Sequence, residues 1–185
     1  MKSVNSSGRI DSWTKSGITW WWVILLVIAI DLGSKFAILG NFYLGESVSI
    51  IPFLNFSYAQ NTGAAFGFLS DHDGWQRWFF TLIAISISGI LFYFMRQTHK
   101  SNILLNLGYA MVIGGALGNL FDRLVHGFVV DFIDFYINTW HFATFNIADI
   151  AISLGAAAII LDGFFPKKKK NIQPDASKSN EKNDA

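Results

Sequence analysis

Aspartates that could act as a catalytic pair stand out in a chain with only 15% charged residues. The candidates are Asp31, Asp122, Asp131, Asp134 and Asp149. Two aspartates held together in a low-dielectric site cannot both ionise readily, so one keeps a proton and the pair can serve as general base and general acid. The base activates water, and the acid protonates the leaving amine of a peptide bond. These residue types therefore permit metal-free peptide hydrolysis, while their spacing leaves open which two aspartates meet.

Asp31 and Lys35 lie four residues apart inside an apolar run. On a helix this spacing places both side chains on one face, with the acid N-terminal to the base, which is the more favourable order. One interpretation is a self-neutralising pair that reaches the outer surface of a membrane. The alternative is a functional site, because ionisable residues within a membrane usually mark one.

Two further groups of polar residues could line a site. Asn61 and Gly63 lie in a turn-like loop whose small residues let the backbone approach a ligand, although an ordinary tight turn also explains them. Asn119, Asp122 and Arg123 lie at the end of an apolar run. Asp122 and Arg123 could simply pair with each other, or Arg123 could hold a lipid phosphate or a backbone carbonyl.

Asn146 and Asp149 stand at positions i and i+3 at the start of the last apolar run, with Ser153 on the same helix face. Asn146 could be a helix N-cap, and Asp149 could be a favourable charge in the first turn. Both could instead contribute to an acidic site. Asp131 lies well upstream of Asp149, so only the fold can bring these two aspartates together.

Other catalytic chemistries have little support in the sequence. The chain has no cysteine, which excludes disulfides, thiol nucleophiles and cysteine metal sites. Its four histidines are scattered without helical ligand spacing, so a His/Asp metal site is only an alternative, and we expect neither a metal nor a cofactor. Basic residues are concentrated near the chain ends, which indicates membrane topology rather than nucleic-acid binding.

Composition and hydropathy indicate a multi-pass membrane protein. Hydrophobic residues make up 52% of the chain, and soluble domains usually carry more charge, about 25%. Four apolar runs are each long enough to cross a hydrocarbon core of roughly 30 Å as a helix. They span about residues 20–39, 75–95, 103–121 and 145–165. The first run is too long for a cleaved signal peptide and contains Asp31 and Lys35, so we predict a retained helix.

The predicted fold class is an all-α membrane domain at residues 20–165, with a small outward-facing β-rich cradle and an interfacial helix or loop. Residues 41–74 contain β-branched and aromatic residues and turn formers, which favour short strands at the membrane surface. Residues 122–144 are too polar to span and should lie along the interface. We expect a short cytoplasmic tail at residues 1–19 and a basic, disordered cytoplasmic tail at residues 166–185.

The distribution of lysine and arginine predicts the orientation. The two tails and the turn at 96–100 hold eleven of the fourteen basic residues, whereas the two opposite loops hold only Arg77 and Arg123. The positive-inside rule therefore places both termini in the cytoplasm and the acid-rich loops on the outer face. One bundle of four helices can enclose a site alone, so we expect a monomer.

Five short motifs, in this order along the chain, resemble those of bacterial lipoprotein signal peptidase, also called signal peptidase II. They are Asp31-x-x-x-Lys35, Asn61-x-Gly63-Ala64-Ala65-Phe66, Gly118-Asn119-x-x-Asp122-Arg123, Val130-Asp131-Phe132 and Phe145-Asn146-x-Ala148-Asp149. Each motif alone is a weak signal, but all five in order form a specific signature. The resemblance covers residues 20–165 and departs from the family only in detail, at Leu32 and Ser34.

The resemblance implies an aspartic endopeptidase of the inner membrane that cleaves a prolipoprotein just before its diacylglyceryl-modified cysteine. It assigns Asp131 and Asp149 to the catalytic dyad. It implies that the other candidates line or support the site: Asp31, Lys35, Asn61, Gly63, Asn119, Asp122, Arg123 and Asn146. The site would lie near the periplasmic face, open laterally to membrane lipid, and would bind the antibiotic globomycin as an inhibitor.

Two other classes of function fit part of the pattern. Buried acids in a helix bundle also suit a small transporter or channel, with Asp31, Asp131 and Asp149 on a proton or cation path. Such a path needs polar residues that continue to the cytoplasmic side, where the second apolar run offers only Ser86 and Ser88. The third class is a non-catalytic assembly factor, which would tolerate Asp→Asn changes that a peptidase would not.

Overall fold

The computed structural model of the protein describes residues 13–63 and 74–164. Predictions that concern residues 1–12, 64–73 and 165–185 lie outside these ranges. They include most of the expected N-terminal tail, the small residues that follow Gly63, and the lysine-rich tail.

Within the described ranges, four helices are long and apolar enough to cross a membrane. They are α1 (Trp21–Asn41), α2 (Trp75–Gln97), α3 (Ile103–Val125) and α4 (Ile147–Phe164). The shortest of them, α4, has 18 residues, and at 1.5 Å per residue it reaches about 27 Å. Each helix therefore matches the thickness of a hydrocarbon core.

The central helix of the bundle is α3, which packs against α1, α2 and α4. Its contact with α4 is close because two glycines face each other. A Cβ added to Gly108 would lie 2.9 Å from the Gly155 carbonyl oxygen, and one added to Gly155 would lie 2.7 Å from the Gly108 carbonyl oxygen. Small residues let helix backbones approach in this way within membranes. By contrast, Leu82, Ile85 and Ile90 of α2 are exposed, as expected for side chains that face lipid.

An antiparallel sheet lies at one end of the bundle. In the described part of the chain its four strands are, in order, β1 (Ser47–Ile51), β2 (Leu54–Asn61), β3 (Val129–Ile137) and β4 (Trp140–His141). The first two strands connect α1 to α2 and the last two connect α3 to α4, so the sheet joins both connections. In the register of β2 and β3, Ala59 opposes Asp131 and Asn61 opposes Val129. The predicted combination of four membrane helices with a small β-rich element is confirmed.

Residues 122–144 differ from the interfacial helix or loop that we expected. Their first residues extend α3, and most of the others form β3 and β4. The sequence of β3, VVDFIDFYI, is rich in β-branched and aromatic residues, which favour a strand. Val130 and Phe132 are buried with Tyr58 of β2 and Ile38 of α1. A strand therefore lets this apolar face pack on the sheet and on α1 together.

Part of the expected N-terminal tail is folded. Residues 13–20 form two 3₁₀ turns that lie against the connection between α2 and α3. The Gly17 amide donates a hydrogen bond to the Thr98 carbonyl (2.7 Å), and the Lys100 amide donates one to the Lys15 carbonyl (2.8 Å). These bonds attach the segment before α1 to the end of the bundle opposite the sheet.

Candidate active site

The position of Asp149 is fixed by the way in which α4 begins. Asn146 directly precedes this helix, and its Oδ1 accepts a hydrogen bond from the Asp149 amide (3.0 Å). In return, Asp149 Oδ2 accepts a hydrogen bond from the Asn146 amide (3.2 Å). This reciprocal arrangement is a capping box, which satisfies amides that a helix start leaves without partners. The capping role considered for Asn146 is thus realised, and it leaves Asp149 Oδ1 for other contacts.

Asp131 lies on β3 and is only 2% exposed. Its Oδ1 accepts a hydrogen bond from Asn146 Nδ2 (2.7 Å), and its Oδ2 accepts one from Asn61 Nδ2 (2.9 Å). Asn61 is the last residue of β2, and the pairing of β2 with β3 places it beside Asp131. Asn146 therefore contacts both Asp131 and Asp149, two residues that are distant in the sequence.

Asn119 of α3 completes a ring of side-chain amides around the two carboxyl groups. Its Nδ2 donates to Asp149 Oδ1 (2.8 Å). Its Oδ1 accepts hydrogen bonds from Asn146 Nδ2 (3.2 Å) and from Lys35 Nζ (2.9 Å). Because an ammonium group can only donate, Lys35 fixes which end of the Asn119 amide faces Asp149.

Burial, and after it the nearby negative charge of Asp149, raises the pKa of the Asp131 carboxyl from its ordinary 3.8 to about 7. Hydrogen bonds from Asn61 and Asn146 and the charge of Lys35 act in the opposite direction, but burial outweighs them. Near neutral pH, Asp131 therefore holds a proton in about half of the molecules. Such a group suits general acid–base catalysis, which works best when the catalytic pKa lies near the working pH.

Behind these residues lies an ion cluster, formed by Asp31, Lys35 and Asp122. Lys35 Nζ lies 2.8 Å from Asp31 Oδ2 and 3.0 Å from Asp122 Oδ2, and at most 1% of each side chain is exposed. Asp31 and Lys35 therefore do not form a pair that reaches the outer surface. Asp122 pairs with Lys35 rather than with the adjacent Arg123.

Arg123 and Gly63 form one side of the site. Arg123 Nη2 donates to the Gly63 carbonyl (3.2 Å) and Nη1 donates to the Asn119 carbonyl (3.4 Å). The guanidinium group lies 5.0 Å from the centre of the Phe80 ring. The Gly63 amide donates to Asn61 Oδ1 (3.0 Å). Of the roles considered for Arg123, the structure shows contacts with backbone carbonyls, which join the end of β2 to α3.

A pocket of about 530 Å³ opens beside this ring of polar side chains. The predicted site residues that line it are Asn61, Gly63, Asn119, Arg123 and Asp149. Asp131 and Asn146 lie behind them and are joined to them by hydrogen bonds, and the ion cluster lies deeper still. A pocket of this size with a few convergent polar groups is typical of a ligand or substrate site.

The far wall of the pocket contains residues that the sequence did not indicate as site residues. They are Val129, Phe142, Ala143, Thr144, Phe145, Ile150, Ile152, Ser153 and Leu154. The position of Ser153 on the same helix face as Asn146 and Asp149 is a usable signal for this wall. Phe145 belongs to the last of the five motifs, but residues 142–144 carry no signal, because their position depends on the pairing of β3 with β4.

Asp134, the remaining acidic candidate, has partners of its own outside the pocket. Its carboxyl lies 2.9 Å from His141 Nδ1 and accepts a hydrogen bond from Asn55 Nδ2 (2.9 Å). Across residues 13–63 and 74–164, no group of three or more Asp, Glu, His or Cys side chains is arranged to hold a metal ion. Asn146 links Asp131 with Asp149, whereas Asp134 is bonded to His141 and Asn55 and lies apart from them.

The sequence is similar to those of known bacterial enzymes over most of its length. Residues 23–165 match the family model described as Signal peptidase (SPase) II. A lipoprotein signal peptidase of Photorhabdus laumondii is 55% identical over 158 residues, which cover 85% of this chain and 95% of that protein. A lipoprotein signal peptidase of Escherichia fergusonii is 59% identical over 155 residues, which cover 84% of this chain and 94% of that protein.

Two solved structures, each described as a bacterial membrane enzyme determined by the in meso method, have a similar fold. The structure at 2.3 Å resolution is 34% identical, has a TM-score of 0.73, and is matched over 84% of this chain and 96% of that chain. The structure at 1.9 Å resolution is 34% identical, has a TM-score of 0.71, and is matched over 83% of this chain and 97% of that chain. Because the family model covers well over half of the sequence, this membrane protein belongs to the signal peptidase II family of peptidases.

Proposed function

We propose that the chain is an aspartic endopeptidase that removes signal peptides from prolipoproteins by cleaving just before the diacylglyceryl-modified cysteine. The observation that carries this proposal is the contact of one side chain, Asn146, with both Asp131 and Asp149 beside the pocket. Relatives that are 55% and 59% identical are named lipoprotein signal peptidases, which supports the class of substrate.

In the proposed reaction, Asp131 holds the proton of the pair because its pKa is raised to about 7. Asp149 acts as the base; it lines the pocket at the positive end of the α4 macrodipole, where a negative charge is favoured. It takes a proton from a water molecule, whose oxygen attacks the carbonyl carbon of the scissile peptide bond. Asp131 then protonates the amide nitrogen as the C–N bond breaks, which yields a carboxylic acid and an amine. Return of one proton from Asp149 to Asp131 restores the pair.

The neighbouring polar residues position these groups in the proposed mechanism. Asn61, Asn119 and Asn146 hold the carboxyl groups in fixed orientations, which lowers the entropic cost of reaching the transition state. Arg123 and Gly63 border the pocket and would contact the substrate backbone. Both catalytic groups are carboxyls, so the reaction as proposed uses neither a metal nor a cofactor.

The wall of the pocket suits a lipidated peptide. Phe142, Phe145, Ile150 and Leu154 give it an apolar surface, and Leu154 is 56% exposed on the side of the bundle that faces lipid. A diacylglyceryl group lying along this wall would stay in apolar surroundings, and leaving them for water would cost about 0.8 kcal/mol per methylene. The peptide would then reach Asp149 at the polar end of the same pocket.

We place the domain in the inner membrane as a monomer, with both termini in the cytoplasm and the site near the periplasmic face. The pocket lies beside the sheet, whereas Arg96 and Lys100 lie at the opposite end of the bundle, close to residues 13–20. α4 runs from the sheet toward that same end, and the lysine run at 167–170 comes after it in the sequence. The positive-inside rule supports this orientation, and a single chain supplies all of the proposed site residues.

Cleavage of a defined substrate tests the proposal. The purified chain in detergent is incubated with a prolipoprotein that carries the diacylglyceryl group on its cysteine, and with the same prolipoprotein lacking that group. Mass spectrometry should show one cleavage, directly before the modified cysteine, and cleavage of the unmodified substrate should be at least about 100-fold slower. Equal cleavage of both substrates, or cleavage at another bond, would contradict the assigned specificity.

Two additions to the same assay test the mechanism. A chelator should leave the rate unchanged, because both catalytic groups are carboxyls. Loss of activity in the chelator that zinc restores would instead identify a metal enzyme.

Globomycin should inhibit the reaction, and excess lipidated substrate should relieve the inhibition. Inhibition that excess substrate does not relieve would argue against binding in this pocket.

A further inference from the structure

We infer, on the basis of the proposed function, that the ion cluster sets the positions of both catalytic aspartates, with Lys35 as its central positioning residue. Asp31, Lys35 and Asp122 are buried and do not line the pocket. Their contacts lead instead to the backbone directly before each aspartate of the pair, and to the amide that faces one of them.

Each carboxylate of the cluster accepts a hydrogen bond from the residue that precedes one catalytic aspartate. Asp31 Oδ1 accepts a bond from the Ala148 amide (2.8 Å), and the next residue is the aspartate of α4. Asp122 Oδ2 accepts a bond from the Val130 amide (3.0 Å), and the next residue is the aspartate of β3. The two bonds connect different elements, α1 with α4 and α3 with β3. The cluster therefore holds the two catalytic segments relative to each other.

Lys35 makes this arrangement possible. Two buried carboxylates side by side would repel each other, and the ammonium group between them compensates their charge. An ammonium group has three donors, and those of Lys35 reach Asp31, Asp122 and Asn119 Oδ1. Because every donor has a partner, the position of this cation is fully specified by α1 and α3.

The third contact of Lys35 reaches the aspartate pair through one amide. Lys35 occupies Asn119 Oδ1, so Asn119 Nδ2 points to Asp149 Oδ1 (2.8 Å). Without the cation, only the longer bond from Asn146 Nδ2 (3.2 Å) would hold the Asn119 oxygen in place. Removal of Lys35 should therefore weaken the orientation of the catalytic base even if the helices remain packed.

Close packing leaves the cluster little room to rearrange. A Cβ added to Gly118 of α3 would overlap Asp31 Oδ2. The absence of a side chain at this position lets α1 approach α3 closely enough for Asp31 to reach the start of α4. The family motif that contains Gly118 thus has a physical explanation in the placement of Asp31.

The same cation also influences the proton on the acid. The charged groups that act on Asp131 are Asp149 from α4, Lys35 from α1 and Arg123 from α3, while β2 contributes the neutral Asn61. Lys35 is a positive charge that favours the ionised form of Asp131. Removal of this charge alone would therefore favour the protonated form of Asp131.

Two triple variants of the full chain separate positioning from general stability. The first, Asp31→Asn/Lys35→Met/Asp122→Asn, removes all three charges but keeps an oxygen that can accept each backbone amide. The second, Asp31→Leu/Lys35→Met/Asp122→Leu, has side chains of similar volume but no acceptors. Replacing a complete buried ion cluster in this way avoids leaving an unpaired charge. Asp134→Asn is the control for loss of a buried carboxylate outside the site.

Rates on the lipidated substrate are divided by the amount of folded protein. That amount is the fraction that elutes as a single species in gel filtration. We expect kcat to fall about 10-fold in the first variant and at least about 100-fold in the second, with KM within about threefold of the native value. If the second variant does not fold, the kcat and KM of the first still decide the matter.

The outcomes distinguish this inference from the proposed function. If the native chain and Asp134→Asn fail to cleave the lipidated substrate, the proposed function is wrong and the inference falls with it. If both cleave it and the triple variants show the native kcat per folded molecule, the ion cluster is only structural and the inference alone is overturned. A lower kcat with an unchanged KM supports it.

Discussion

At the residue scale, the two interpretations of Asn146 and Asp149 as a helix cap and as site residues turn out to be compatible. The bonds that cap α4 use Asn146 Oδ1 and Asp149 Oδ2, and they leave Asn146 Nδ2 and Asp149 Oδ1 for contacts in the site. A helix start has unsatisfied amides in any case. Placing a carboxyl and an amide there therefore satisfies the backbone and orients the proposed catalytic groups at once.

The pKa of Asp131 leads to a prediction about pH. In the proposed mechanism its carboxyl supplies the proton that the leaving amine needs, and burial raises its pKa to about 7. We therefore expect kcat to fall about 10-fold per pH unit above that value. The measurement is kcat in detergent from about pH 6 to about pH 9. A rate that stays constant across this range would contradict the role of Asp131 as the acid.

The sign of the accompanying change in stability follows from the same raised pKa. The folded chain binds this proton more tightly than the unfolded chain, so the stabilisation is complete below about pH 4 and is lost as the pH rises through about 7. Asp131→Asn carries a permanently neutral amide and should lack this contribution. Its Tm should therefore fall less than the native Tm between about pH 5 and about pH 8, as thermal unfolding in detergent can show.

At the element scale, the proposed catalytic pair depends on the start of one helix and on the register of two strands. Asp131 lies opposite Ala59 of β2, and Asn61, two residues further, reaches its carboxyl. A slip of one residue in β3 would turn Asp131 to the other face of the sheet. Burial of Val130 and Phe132 against Tyr58 and Ile38 opposes such a slip. The hydrophobic pattern of β3 therefore also fixes the position of the acid.

Substitutions at Asn146 should separate its role as a cap from its role between the aspartates. Asn146→Ser keeps a side-chain oxygen suited to an N-cap but is too short to reach Asp131, whereas Asn146→Ala removes both contacts. Loss of a cap costs about 1 kcal/mol, or about 2–4 °C in Tm for a chain of this size. We expect Tm to fall in both variants, because both leave buried oxygens of Asp131 and Asn119 without their amide donor. It should fall further in Asn146→Ala, which alone loses the side-chain cap, and kcat should be at least about 100-fold lower in both. A native kcat in Asn146→Ser would show that the bridging contact is dispensable.

At the scale of the whole molecule, the bundle and the sheet bring together groups from five elements. The aspartates come from β3 and α4, the amides from β2, α3 and the residue before α4, and the ion cluster from α1 and α3. In α1 and α3, polar side chains occupy buried positions, while the exposed faces of the helices are apolar. The site is therefore enclosed at one end of a bundle whose other surfaces suit lipid.

The proposed orientation can be tested without background labelling, because the native chain has no cysteine. Ser49→Cys lies on the exposed strand β1, and Ser101→Cys lies on the exposed connection between α2 and α3. A maleimide that cannot cross the inner membrane should label Ser49→Cys in intact cells with a permeabilised outer membrane. It should label Ser101→Cys only after the inner membrane is opened. The reverse pattern would place the site on the cytoplasmic side.

The sequence predicts the helices well because long apolar runs have few alternatives once about 20 residues must cross a bilayer. It does not predict that most of residues 126–144 form strands, because that outcome depends on burial against β2 and α1. Residue spacing also leaves open which aspartates meet, although the family resemblance assigns Asp131 and Asp149. Spacing places Lys35 beside Asp31 but does not predict its contacts with Asp122 and Asn119. Those relations join residues far apart in the chain, and the structure supplies them through the capping box at Asn146 and the close approach of α1 at Gly118.

The most direct test of the account is the activity of Asp131→Asn and Asp149→Asn on the lipidated prolipoprotein, with Asp134→Asn as the matched control. Removal of either member of a catalytic pair should lower kcat by about 10⁴-fold, while the variants elute from gel filtration as the native chain does. The control should keep the native rate within about twofold, because Asp134 lies outside the pocket and its substitution should leave the transition state unaffected. If either Asp131→Asn or Asp149→Asn is folded and cleaves at the native rate, these two aspartates are not the catalytic pair.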